Sequence, residues 1–342
     1  MDQNLSIADF LDSLIASRHI RAHGPQDCVG AHYFRGIVFM NRRKFLATGA
    51  SAGAAGLIAT RPARGRTSDS IDSAARHAAD RGSVRPSAKF RLSVTRWPFH
   101  QFTLEQLSQM ARELGIDSVE LLEPDEWAVP RRYGLTCAMG YATVPNPETR
   151  LTQGFNRVEN HSWLIPAYER AIPLAAAAKV PNVICFSGNR NGQNDDEGRA
   201  ICARGLAPLV PVAEKHGVTL CMELLNSKID HPDYQCDHTA WGVALAKQVN
   251  SERFKLLYDI YHMQIMEGDV IRTITDNHRY IGHYHTGGVP GRHEIDSSQE
   301  LNYPAVMRAI GATGFTGYVA QEFVPTRDPR ASLAEAVRLC RV

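Results

Sequence analysis

Four residues of metal-ligating type each close a short apolar run in the second half of this sequence. Glu223 ends residues 218–223, Asp259 ends 254–259, His285 ends 280–285 and Glu322 ends 317–322. Two glutamates, an aspartate and a histidine form a hard, oxygen-rich donor set. Such a set suits one divalent metal ion, with Mn²⁺ or Mg²⁺ the best matches. Their separations of 36, 26 and 37 residues bracket the roughly 31 that a barrel of about 250 residues spends on each strand–helix unit. The four positions therefore fall where four consecutive parallel strands would end, at the face where such barrels carry their chemistry.

The elements that must position these residues can be read along the chain. Strands are expected at 90–94, 118–122, 135–139 and 182–186, ahead of the four ligand-ending runs. Thr103 is placed to cap a helix whose apolar residues Leu104, Leu107, Met110, Ala111 and Leu114 recur at intervals of three and four, with Gly115 ending it. Further helices are expected at about 162–179, across the Ala- and Leu-rich stretch up to Glu214, and near 239–249, 270–278, 303–310 and 331–339. Strand and helix alternating about eight times predict an α/β chain folded as a (β/α)₈ TIM barrel over 89–342. A polar excursion at 141–161 and the loop 187–192 would lie at the mouth of that barrel.

Alternation along each strand supports the ligand reading. Thr219 and Cys221 share a face with Glu223, Ile281 and His283 with His285, and Tyr318 and Ala320 with Glu322. Lys255 would share a face with Asp259, and is expected at the bottom mouth, within reach of water. Beside the four ligands stand further candidates for substrate contact. His262 follows Asp259 by three residues. Arg292 and Glu294 lie in the loop after the seventh strand, where a guanidinium can hold a carboxylate or hydroxyl by paired hydrogen bonds. Glu120, on the second strand, reads either as a site residue or as a buried carboxylate with an arginine partner.

Composition bounds the function classes. Hydrophobic residues make up 44% and charged residues 22% of the 342, as in ordinary globular enzymes. A formal net charge of +2 gives no basic surface for nucleic acid. The seven cysteines form no C-x-x-C pair and read as buried free thiols. No apolar run is long enough to hold the mature chain in a membrane.

The amino-terminal residues read differently. Residues 1–39 are an uninformative extension, and Met40 is the expected true start. Residues 40–66 have the layout of a twin-arginine signal: Arg42-Arg43, a weakly apolar small-residue run, then a polar tail. Residues 67–88 are a polar tether. Export machinery is thus an expected partner, with a periplasmic or secreted location; a chance arginine pair would leave the protein cytoplasmic.

Several stretches resemble a known family. Met222-Glu223-Leu224-Leu225-Asn226 with Asp230-His231-Pro232-Asp233-Tyr234 is similar to the fifth-strand signature of hydroxypyruvate isomerase-like proteins. These are xylose isomerase-like sugar isomerase/epimerase barrels. Residues 258–262, 291–296, 301–304 and 317–323 resemble that family as well. The resemblance spans about 90–342 and implies that Glu223, Asp259, His285 and Glu322 bind one divalent ion. It also implies that the two glutamates move protons and that His262 and Arg292 touch substrate. Histidine at the third ligand position is similar to ketose 3-epimerases, whereas bacterial hydroxypyruvate isomerases often carry glutamine there. The arginine loop resembles the isomerase version.

The expected activity is therefore metal-dependent isomerisation of a small sugar or hydroxy-carbonyl compound through an enediolate. Alternatives are epimerisation of a ketose or 3-keto sugar, a lyase or hydrolase acting on oxidised sugars at the same site, and a metal-bearing sugar-binding protein without catalysis. Nothing in the sequence sets the number of copies, so a homo-oligomer stays open.

Overall fold

The computed structural model describes residues 89–342; the expected signal and tether lie outside them. Eight parallel strands form one sheet in the order β2-β1-β8-β7-β6-β5-β4-β3. They are β1 (Arg91–Thr95), β2 (Ser118–Glu120), β3 (Met139–Gly140), β4 (Asn182–Cys185), β5 (Thr219–Glu223), β6 (Phe254–Asp259), β7 (Ile281–Thr286) and β8 (Tyr318–Gln321). Between β2 and β3 the ring closes through two isolated parallel bridges, Ser118 with Thr136 and Leu122 with Gly140.

The chief helices on the outside are α1 (Leu104–Glu113), α2 (Ala128–Arg131), α3 (Val158–Ala177), α4 (Asp195–Leu206), α5 (Leu209–His216), α6 (Thr239–Val249), α7 (Ile260–Met266), α8 (Val270–Asn277), α9 (Tyr303–Ala312) and α10 (Pro329–Cys340). α1 shows why they form where they do. Thr103 Oγ1 accepts from the Gln106 amide at 3.2 Å, and Gln106 Oε1 accepts from the Thr103 amide at 2.8 Å. That reciprocal box satisfies two otherwise orphaned N–H groups. The helix then buries Leu104, Leu107, Met110 and Ala111 against the sheet. Each large side chain buried this way contributes on the order of 2 kcal/mol.

Two strand boundaries differ from the sequence expectation. Leu121 has φ +58°, so β2 stops at Glu120 and cannot run to 122. β3 covers Met139–Gly140 rather than 135–139, because the Ala138 amide donates to the Ser118 hydroxyl at 2.8 Å instead of joining a backbone ladder. α3 begins at Val158, four residues before the expected 162. Its N-cap, Arg157, makes no side-chain cap bond. The start is held instead by Asn160 donating to the Gly154 carbonyl at 2.9 Å and by a His161–Phe155 carbonyl bond of 2.8 Å.

Lys255 lies at the barrel's lower end, with Nζ 2.8 Å from both Glu252 Oε2 and the Arg279 carbonyl. The six described cysteines are free and buried. No helix among the described residues is long and apolar enough to cross a membrane.

Candidate active site

The ends of β5 to β8 bring Glu223, Asp259, His285 and Glu322 together, with one donor atom from each lying within 4.8 Å of all the others. All four are buried; Glu223, the most open, is 5% exposed. Local structure fixes each. Tyr234, whose hydroxyl donates to the Glu223 carbonyl at 3.0 Å and accepts from the Ser187 amide at 3.0 Å, ties the end of β5 to the end of β4. Asp259 is the N-cap of α7: its Oδ1 accepts from the Tyr261 and His262 amides at 2.8 and 3.3 Å. Its Oδ2 is left facing the site, 3.0 Å from an Arg292 terminal nitrogen.

His285 is gripped from both sides. Nε2 lies 3.0 Å from Glu120 Oε1, and Nδ1 lies 2.8 Å from Glu322 Oε2 and 3.4 Å from Glu223 Oε1. Burial alone would lower its pKa, but Glu322 and Glu120 outweigh burial and hold the imidazole charged well above the usual histidine range. Glu322 shows the converse. Burial pushes it up, yet His285 and Arg292 hold it well below the carboxylate range. Burial dominates at Asp259, raised to about 8, and also raises Glu223. Two cationic side chains, His285 and Arg292, thus lie against these carboxylates.

Three buried carboxylates converging on one point, with an imidazole nitrogen among them, match the donor chemistry of a divalent cation site. The groups fit such an ion because each offers an oxygen or nitrogen to the common point, and in Asp259, His285 and Glu322 the other polar atom is already engaged by the fold.

Arg292 bridges Asp259 and Glu322, with its NH2 nitrogen 2.5 Å from Glu322 Oε2. Its guanidinium lies between the rings of Trp97 and Tyr261, 5.1 and 5.2 Å from their centroids, an arrangement that favours a partly desolvated cation. Its Nε is buried without a partner. The loop carrying it is pinned by Tyr303, whose hydroxyl accepts from the Gly287 amide at 2.9 Å and donates to the Gly287 carbonyl at 2.8 Å. His262 is fully buried beside Asp259, its Nε2 3.5 Å from Asp259 Oδ2.

Two expected substrate contacts are placed elsewhere. Glu294 turns away from the mouth. Its carboxylate accepts from the Thr326 and Arg327 amides and the Thr326 and Ser332 hydroxyls, so it fastens the loop after β8 to α10. Glu120 is neither exposed to substrate nor paired with arginine. Oε1 accepts from both His283 Nε2, at 2.8 Å, and His285 Nε2, at 3.0 Å. Burial would raise its pKa, but the two imidazoles hold it at about 2. Glu120 thus lies beneath the four convergent residues and holds His285 by its Nε2.

Other contributors went unread in the sequence. Trp97 Nε1 donates to Glu322 Oε1 at 2.7 Å; an aromatic residue directly after β1 was the available signal. Tyr141, at the start of the excursion, has its phenol pKa raised by burial and further by Glu322 and Glu223, which places it within their field. His283, which alternation along β7 makes a lining residue, also meets Glu120 Oε1.

The sequence matches the family described as Xylose isomerase-like TIM barrel over residues 71–341. It is 36% identical over 135 residues to the 2-oxo-tetronate isomerase of Cupriavidus necator, covering 40% of this chain and 51% of that one. It is 25% identical over 236 residues to the hydroxypyruvate isomerase of Escherichia coli, covering 68% of this chain and 83% of that one. Among solved structures, a 3-keto-D-glucoside 4-epimerase from Escherichia coli superimposes with a TM-score of 0.61 at 20% identity, over 74% of this chain and all of that one; at that identity the likeness shows the fold. With the match covering most of its length and the eight-stranded barrel seen directly, the chain belongs to the xylose isomerase-like TIM barrel family.

Proposed function

We propose that this isomerase interconverts small hydroxy-carbonyl compounds, with 2-oxo acids of the hydroxypyruvate type the first candidates, by moving a proton between neighbouring carbons. The observation that carries the reading is the convergence of Glu223, Asp259, His285 and Glu322 around one point at the mouth of the barrel. Glu223, Asp259, His285 and Glu322 would hold one divalent cation, Mn²⁺ or Mg²⁺, which when bound supplies Lewis-acid polarisation of the carbonyl and its neighbouring hydroxyl.

The chain's own groups do the rest. β5 and β8 are separated by two strands in the sheet, so Glu223 and Glu322 approach the same space from different sides. One carboxylate takes the proton from the carbon next to the carbonyl, leaving an enediolate. A carboxylic acid then returns a proton to the adjacent carbon, giving the isomer, while a hydroxyl proton passes between the two oxygens. Arg292, with a free buried Nε, is placed to hold the carboxylate of a 2-oxo acid. Trp97 and Tyr261 flank the Arg292 guanidinium beside the quartet.

A second reading has its own observation. Histidine at position 285, rather than glutamine, is the ligand expected of ketose epimerases, in which the second glutamate returns the proton to the same carbon from the opposite face. Purified protein with Mn²⁺ or Mg²⁺ in D₂O, offered hydroxypyruvate, four-carbon 2-oxo acids and ketoses, separates the readings by NMR. Deuterium on the neighbouring carbon of a 2-oxo acid supports isomerisation. Exchange with inversion at one ketose carbon supports the epimerase. No exchange in any compound would leave a binding protein and overturn both.

For the amino-terminal residues we propose export by the twin-arginine route. Replacing Arg42 and Arg43 by Lys and following the protein by cell fractionation tests this; an unchanged distribution refutes it.

A further inference from the structure

We propose that Asn226 fixes the tautomer of His262, so that the imidazole offers its Nε2–H, and no acceptor, to an oxygen of the substrate. The orientation of the Asn226 amide is set by the backbone. Its Oδ1 accepts from the Ile229 amide at 3.0 Å and the Asp230 amide at 2.9 Å. The amide nitrogen must therefore point the other way. There it meets two acceptors, Asp230 Oδ2 at 2.6 Å and His262 Nδ1 at 2.7 Å. Asp230 Oδ2 is itself held as an acceptor by the Tyr261 hydroxyl at 2.8 Å. Two amide hydrogens thus face two lone pairs. A hydrogen on Nδ1 would collide with one of them, so Nδ1 is bare and the ring's hydrogen sits on Nε2.

That Nε2 is fully buried and has no hydrogen-bond partner. It is aimed at the cluster, with Asp259 Oδ2 3.5 Å away. A buried N–H left unpaired is stripped of water without return, and the atom that completes it is expected to arrive with substrate. Around the ring stand the Asp230 carboxylate, 4.0 Å from Nδ1, and the His231 and Tyr261 rings, packed edge-on at 5.2 and 5.1 Å; with Nδ1 bare and one hydrogen on Nε2, the ring is neutral.

A neutral ring locked this way cannot accept the substrate's carbon-bound proton. It can donate to the oxygen that gains negative charge as that proton leaves. Proton transfer at carbon is left to the glutamates. Asn226 is thus a positioning residue acting through His262. The inference deepens the proposed reaction and rests on it for its kinetic part, whereas its tautomer part needs no substrate.

The test uses the full chain labelled with ¹⁵N in histidine and loaded with Mg²⁺. Long-range ¹H–¹⁵N correlation reports which ring nitrogen carries hydrogen, and the His262 signals are identified by their loss in His262→Gln. The expected result is a protonated Nε2 and a bare Nδ1. A hydrogen on Nδ1 in the unsubstituted protein overturns the proposal outright. Asn226→Asp, which keeps an acceptor for the turn amides but now demands a hydrogen from Nδ1, is expected to reverse the pattern or doubly protonate the ring. With hydroxypyruvate and Mg²⁺, kcat in that variant is expected to fall about 100-fold, with KM and the Mg²⁺ dissociation constant changed less than threefold. An unchanged kcat, or a loss matched by weakened Mg²⁺ binding, overturns the positioning role. If the unsubstituted enzyme does not turn over hydroxypyruvate, that substrate reading fails while the spectrum still decides the tautomer.

Discussion

Replacing Glu120 by Gln probes the proposed cation site from beneath without touching any of the four residues proposed to hold the ion. One oxygen of this buried carboxylate serves two imidazoles, His283 at 2.8 Å and His285 at 3.0 Å. While it accepts from the Nε2–H of His285, the other ring nitrogen, Nδ1, is turned towards Glu223 and Glu322. An amide in its place can keep one oxygen against both imidazoles but carries no charge, so His285 loses the basicity that the carboxylate lends it. Removing such a partner weakens metal binding about 10- to 100-fold, equivalent to roughly 1.4–2.8 kcal/mol. The assay is calorimetric titration of chelator-treated protein with Mn²⁺, with circular dichroism confirming the fold. Melting temperature is the wrong readout, because the substitution also removes a buried charge whose loss alters stability directly. A folded Glu120→Gln protein that binds Mn²⁺ as tightly as the parent would refute the claim that Glu120 acts on the site through His285.

Glu223→Gln and Glu322→Gln are each expected to lower kcat by about 10²–10⁴ with the circular dichroism spectrum retained; near-normal turnover in either would remove that glutamate from proton transfer. Stability without cation is expected to fall as pH rises from 6 to 9. Asp259, raised to about 8 chiefly by burial, keeps a proton that the unfolded chain loses near pH 4. His285 is held charged above its ordinary range, because Glu322 and Glu120 outweigh burial. The native state therefore binds more protons across this window, and a melting temperature that climbs between pH 6 and 9 contradicts the reasoning. Arg292→Lys is expected to raise KM for a 2-oxo acid about tenfold, because an ammonium cannot repeat the two-pronged contact; an equal KM would show that Arg292 holds only the protein's own carboxylates. Gly288→Ala would set a Cβ 2.2 Å from the Glu294 carbonyl oxygen, so the arginine loop must shift; kcat/KM is expected to drop at least tenfold by steady-state assay, in line with about 1–3 kcal/mol of overpacking.

The convergence of Glu223, Asp259, His285 and Glu322 was legible because strand ends in a parallel barrel recur at a near-fixed interval, and because each strand is a single unbroken run such as 254–259. The helix-ending Gly115 and the Thr103 cap were legible for a local reason: the Gly115 amide donates to the Arg112 carbonyl and the Gln106 amide to the Thr103 hydroxyl, each three residues apart. What escaped was set by contacts distant in sequence. β3 is cut short by the hydroxyl of Ser118, twenty residues from the amide it occupies. Glu120 finds its partners on β7, more than 160 positions away, so its orientation below the ligands could not be read from the second strand alone. Glu294 sits two residues from Arg292 and looked equivalent to it. Backbone at Arg292 with φ +58° turns the two side chains to different sides. Asn226 and Trp97 bear on the site only because loops bring them to it, and loop paths carry no periodic signal.

The join between β2 and β3, made by two lone bridges, also has a mechanical meaning. A cylinder of staves parts first where its fastening is thinnest, so deuterium from solvent is expected to enter the amides around 118–122 and 136–140 ahead of those in β5 to β8. The four convergent donors stand on the arc opposite that join, and Glu223, Asp259 and Glu322 would ride through such breathing undisturbed. Glu120 is the exception: it belongs to the stave at the gap, and through its grip on His285 any slackening there is felt across the width of the cylinder.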